Sequence, residues 1–139
     1  MTRAVLDTGV LVAGIISSAG APASLVRSWR LGEFDLIVCP MLLAELQRVL
    51  DYPKLRRYLT EDQAARLLLA IENAALALPD PDQIPQVCRD PADDYLFALA
   101  GAHADVLVSG DKDVLEATEP GVRVLTPAGF AEILRNRWN

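Results

Sequence analysis

Two aspartates lie just beyond short apolar runs. Asp7 comes after Arg3-Ala4-Val5-Leu6, and Asp111 closes the turn Ser109-Gly110-Asp111 after Val106-Leu107-Val108. Glu45 and Asp93 are further candidates from helical spacing. On a helix with Leu42, Leu46, Val49 and Leu50 at its buried centre, Glu45 lies roughly 100° from that centre, which suits a carboxylate reaching a cleft or an ordinary solvated boundary residue. With Leu96, Phe97, Leu99 and Ala100 as the apolar face, Asp93 falls roughly 40° and Asp94 roughly 140° from the centre, so Asp93 is expected to point inward and Asp94 toward water. Carboxylates that converge on one cleft raise each other's pKa values unless a cation neutralises them. Oxygen-only donors suit Mg²⁺ or Mn²⁺, which lower the pKa of an attacking water and neutralise charge on a phosphate ester. A single histidine, His103, and two distant cysteines, Cys39 and Cys88, exclude Cys₂His₂ zinc, His-rich copper or iron and multi-histidine catalysis.

Short strands alternating with helices must hold these acids. The pattern predicts strands at 3–6, 36–39, 106–108 and 122–125. Helices are expected over Val10–Ser18, Pro22 to about Leu31, Met41–Leu50, Thr60 to about Ala75, Ala92–His103 and near Val114, with a closing helix after Thr126-Pro127. Thr60 and Gln63 read as a capping box, Asp90 as the cap of the helix from Ala92, and Pro79, Pro81 and Pro85 as a rigid loop. This order predicts an α/β domain with a mainly parallel sheet covered on both faces, whose ligand crevice lies beyond the carboxyl ends of the strands. Asp7 and Asp111 fall there.

The 139 residues suit one domain, 1–139. Thirteen Lys+Arg against nineteen Asp+Glu give a net charge of −6, which argues against general attraction to phosphate or anionic lipid. A bound metal could invert that locally. No apolar run reaches the roughly 18 residues of a membrane span, and Asp7-Thr8-Gly9 interrupts what would be a signal h-region. A cytoplasmic protein with no membrane association and two free thiols is therefore expected.

AVLDTGVLVAGI, LLAELQRVL and CRDPADDYLFALAGAHADVLVSGDKDVL, followed by TPAGFAEIL, occur in an order and at a spacing that resemble the PIN-domain family across essentially the whole chain. Within it the sequence looks most like the VapC-like toxins of prokaryotic toxin–antitoxin systems. The resemblance implies a three-layer α/β/α sandwich around a mainly parallel sheet of about five strands. It also implies a Mg²⁺- or Mn²⁺-dependent endoribonuclease with one or two ions. By motif, Asp7, Glu45, Asp93 and Asp111 match the catalytic and metal-holding acids, and Asp113 resembles an accessory metal acid in Gly110-Asp111-Lys112-Asp113. Thr8 and Ser109 look like hydroxyls that hold the acids or a water, or cap a turn. The implied partners are an RNA substrate approaching over Arg27, Arg30, Arg48 and Lys112, a cognate antitoxin, and further copies in a homodimer or higher homo-oligomer.

One position departs from the family pattern: Gly9 stands where Asn is usual. That leaves a second expectation, a PIN-like binding or scaffold domain with little nuclease activity. Asp-Thr-Gly is also the signature of aspartic proteases, but those are mostly β and need two such aspartates, and only one occurs here. A haloacid-dehalogenase-type phosphatase would want a second Asp at position 9.

Overall fold

The computed structural model describes residues 1–137. Strand β1 (Arg3–Leu6) runs into α1 (Thr8–Ile16), then α2 (Ala21–Arg30), β2 (Asp35–Val38) and α3 (Pro40–Leu50). A 3₁₀ turn over Pro53–Arg57 leads to α4 (Glu61–Ala74) and β3 (Leu76–Ala77). After the proline-rich loop and a 3₁₀ turn at Pro91–Asp93 come α5 (Asp94–His103), β4 (Val106–Val108), α6 (Lys112–Glu116), β5 (Val124–Leu125) and α7 (Pro127–Asn136).

The five strands form one parallel sheet in the order β3-β2-β1-β4-β5. A five-stranded parallel sheet with helical crossovers is the expected α/β architecture, and it disposes of the mostly-β alternative. Right-handed crossovers put the helices joining β1, β2 and β3 on one face and α5 on the other. Consistently, α5 packs on β1 and β4, whereas α7 returns to pack against α2. The central strands are apolar throughout because both faces are covered: Ala4, Val5, Leu6, Leu107 and Val108 are fully buried. Phe34 and Phe130 meet edge to face at 5.1 Å beneath α7.

Strand order reverses between β1 and β4, where neighbouring loops diverge to opposite faces and open a crevice at the strands' carboxyl ends. Register fixes what faces it: Leu6 pairs with Val108, so the residues following both strands emerge side by side.

Several boundaries differ from expectation. Helix α1 starts at Thr8, because Asp7 caps it, and ends at Ile16. The pair Leu76–Ala77 beside β2 was not expected; two exposed small-to-medium apolar residues at the end of a helical pattern carry no strand signal. At the other edge, β5 is shorter than 122–125. The Thr60–Gln63 capping box forms as read. Both cysteines are free thiols. Among the described residues no single helix is long and apolar enough to cross a membrane.

Candidate active site

Asp7 leaves β1 in extended geometry and turns the chain into α1. One carboxylate oxygen accepts the Val10 N–H at 2.8 Å and the other accepts the Ser109 hydroxyl. It is only 8% exposed. Burial pushes its pKa up; the Ser109 and Val10 hydrogen bonds oppose this, and the charges of Asp111 and Glu45 add to it.

Asp111 plays the matching role after β4. It caps α6 by accepting the Asp113 N–H at 2.9 Å, and its own N–H donates to the Ser109 hydroxyl oxygen at 3.0 Å. Ser109, fully buried, therefore ties the acid after β1 to the acid after β4, so it both holds an acid and caps a turn. Thr8 lines the cavity but bonds to none of the acids among the described residues.

Glu45 enters from the flank of α3, half-buried, and accepts the Tyr95 hydroxyl at 2.8 Å. Asp93 ends the 3₁₀ turn before α5. Its pKa is pushed up to about 6, first by burial and then by the negative charges of Asp90, Glu45, Asp111 and Asp7.

Asp7, Glu45, Asp93 and Asp111 line one cavity of about 340 Å³ together with Thr8, Gly9, Pro22 and Val49, and among the described residues no Lys, Arg or His contributes to its wall. A larger cavity of about 540 Å³ lies between α2 and α4 and contains no acid, so the carboxylate chemistry belongs to the smaller one. Asp113 is not part of its lining; its carboxylate lies 3.8 Å from the Arg89 guanidinium. The expected RNA-approach residues Arg27 and Arg30 line the larger cavity.

The expected orientation of Asp94 is overturned: it faces inward instead of toward water. Asp94 is 4% exposed, whereas Asp93 is half-buried. The helical arithmetic assumed a regular helix from Ala92, but α5 begins at Asp94 and the preceding turn is 3₁₀, which changes the phase. Asp94 is drawn inward by accepting the N–H groups of Val87 (3.1 Å) and Cys88 (2.6 Å), and so pins the end of the proline-rich loop. Asp93 nevertheless is the one that lines the cleft. Tyr95 is the residue that spacing could not reveal: an aromatic on a buried helix reads as core, and its partner is fifty positions away.

The donor set fits a divalent cation. It is all carboxylate oxygen, burial and neighbouring acids raise the Asp7 and Asp93 pKa values, and among the described residues no Lys, Arg or His lines the cavity to offset it. Among the described residues no three acidic, histidine or cysteine side chains stand close enough to grip one ion, and Asp7 and Glu45 accept hydrogen bonds from Val10, Ser109 and Tyr95. Gly9 does not distort this arrangement. Its φ is not positive, and a Cβ there would meet Asp7 Oδ1 at an ordinary 3.5 Å.

Residues 3–113 match the PIN domain family. The chain belongs to that family. It is also similar to Uncharacterized protein MJ1680 of Methanocaldococcus jannaschii, at 25% identity over 140 residues, covering 94% of this chain and 90% of the relative. PIN domains are in general nucleases and typically use divalent metal ions, so nuclease chemistry is the function class that membership supports.

Proposed function

We propose that this PIN domain is a Mg²⁺- or Mn²⁺-dependent endoribonuclease and the toxin of a toxin–antitoxin pair. The observation that carries the reading is the convergence of four carboxylates from four separate chain segments on one cavity lined, among the described residues, by no Lys, Arg or His. Asp7, Glu45, Asp93 and Asp111 would hold one or two ions. When bound, such an ion supplies a lowered pKa for the attacking water and neutralises charge on the phosphate. Asp7 is kept in place by Ser109 and Val10, and Asp111 is fixed by its own cap, so these two form the rigid floor. Glu45 and Asp93 close the cleft from α3 and from the turn before α5. Asp113, paired with Arg89, contributes charge at the rim instead of a ligand. The proposed partners are RNA, an antitoxin covering the cleft, and a second copy of the chain; a cytoplasmic location goes with them.

The direct test is cleavage of an end-labelled single-stranded RNA with Mn²⁺, with EDTA, and with Asp7→Asn. Metal-dependent cleavage lost in the variant supports the nuclease reading, and toxicity on expression that disappears with Asp7→Asn supports the toxin role. A non-cleaving binding scaffold is the second reading, favoured by the absence of three carboxylates already close enough to share an ion among the described residues. It predicts that wild type and Asp7→Asn respond to Mn²⁺ alike in melting temperature, with no RNA cut by either.

A further inference from the structure

We infer that Tyr95 is the positioning residue that aims the Glu45 carboxylate into the acid cleft, an inference resting on the metal-site reading above. Glu45 carries the longest side chain of the four acids. It stands on the flank of α3, half-buried, on a long side chain with three rotatable torsions, and it caps no helix. Asp7 and Asp111, by contrast, are short side chains each pinned by a backbone N–H.

The only side-chain hydrogen bond to Glu45 among the described residues comes from the Tyr95 hydroxyl, 2.8 Å from Oε2. The tyrosine ring is 3% exposed and set in the first turn of α5, so the donor it carries is immobile. The bond ties down Oε2 of a side chain that lines the cavity, leaving one carboxylate oxygen without a side-chain partner among the described residues. Asp93 lies two residues earlier on the same stretch of backbone and lines the same cavity. One short segment therefore contributes an acid directly and holds a second acid from another helix. Without the hydroxyl, nothing fixed would keep the Glu45 side chain from swinging to the solvent side of α3.

Isothermal titration of Mn²⁺ into the full chain tests this, with wild type, Tyr95→Phe, Glu45→Gln and the double variant. Partners that hold a metal ligand typically change affinity 10–100-fold, so Tyr95→Phe is expected to weaken Mn²⁺ binding by about 10-fold or more. On the Glu45→Gln background the same change should cost less than about 2-fold, because the residue it acts through is already disabled. Tyr95→Phe keeps the buried ring, so its melting temperature in EDTA checks that the fold is retained before the binding data are read. A tyrosine with only a packing role would lower the melting temperature in EDTA and leave Mn²⁺ affinity unchanged, which overturns the assignment. Equal losses on both backgrounds overturn it too. If wild type takes up no Mn²⁺, the metal site and this inference fall together. If wild type binds Mn²⁺ but cuts no RNA, the nuclease reading alone falls and the Tyr95 assignment is judged on the binding data.

Discussion

Replacing Asp93 with Asn should stabilise the metal-free protein while blunting its response to divalent ions. The ordinary carboxylate value of 3.8 is pushed up to about 6 by burial and by four neighbouring acids. At about 1.4 kcal/mol per pH unit, the ceiling on that penalty is about 3 kcal/mol. Asp93 is half-buried and partly screened, so about 1–2 kcal/mol is the realistic share. The sign follows from linkage: with the folded-state value above the unfolded one, the stability that the protonated group provides is full below about pH 4 and lost as pH rises through about 6. Asn mimics the protonated form. In EDTA at pH 7.5 the variant should melt about 3–6 °C above wild type, and at pH 4 the two should coincide. With saturating Mn²⁺ the order should narrow or invert, because only wild type keeps the full donor set. Differential scanning fluorimetry over pH 4–8, with and without Mn²⁺, reads all of this. An advantage for Asn that persists at pH 4, or no advantage at pH 7.5, would refute the electrostatic account.

Asp94→Ala should cost about 2–4 kcal/mol in urea unfolding, because it strands the Val87 and Cys88 N–H groups, and it should speed reaction of Cys88 with a thiol reagent as the loop end comes free. Ser109→Ala should cost about 1–3 kcal/mol, more at pH 8 than at pH 4, since the lost donor serves the ionised form of Asp7. Gly9→Ala should stabilise by about 0.5–1 kcal/mol in the same assay and leave Mn²⁺ uptake unchanged, because the position is in the first turn of α1 with room for a Cβ.

Where local rules governed, the sequence was readable. Apolar runs with both faces covered marked β1, β2 and β4, and the residues after them were placed at the sheet's carboxyl edge, where Asp7 and Asp111 stand. Reading failed where tertiary contacts overrode periodicity. Asp94 faces inward because two loop N–H groups recruit it, an effect helical phase cannot register. Leu76–Ala77 becomes a strand only because β2 offers it an edge. Spacing left Glu45 between a solvated and a cleft-facing role; what brings it to the cleft is a hydroxyl fifty residues away. The motif resemblance supplied the acids, but neither it nor periodicity supplied the residues that hold them.

The electrostatics of the cleft explain why a chain of net charge −6 can still be a nucleic-acid enzyme. Three of the four acids sit at helix starts: Asp7 before α1, Asp93 before α5 and Asp111 before α6. The partial positive charge there is worth about 0.3–1 kcal/mol each, and it falls off within a turn. That is too little, since the Asp93 carboxyl still stands at about 6 despite its place before α5. The fold thus concentrates negative charge and offsets only part of it, leaving the remainder for a cation from solution. Two divalent ions would bring −6 to −2, with the whole change placed where a phosphate would lie. RNA affinity should therefore be negligible in EDTA and rise steeply with Mg²⁺ at constant ionic strength. A fluorescence-anisotropy titration of labelled single-stranded RNA with the Asp111→Asn variant should show a shallower metal dependence than wild type. Equal RNA affinity with and without metal would break the link between the acidic cleft and the substrate.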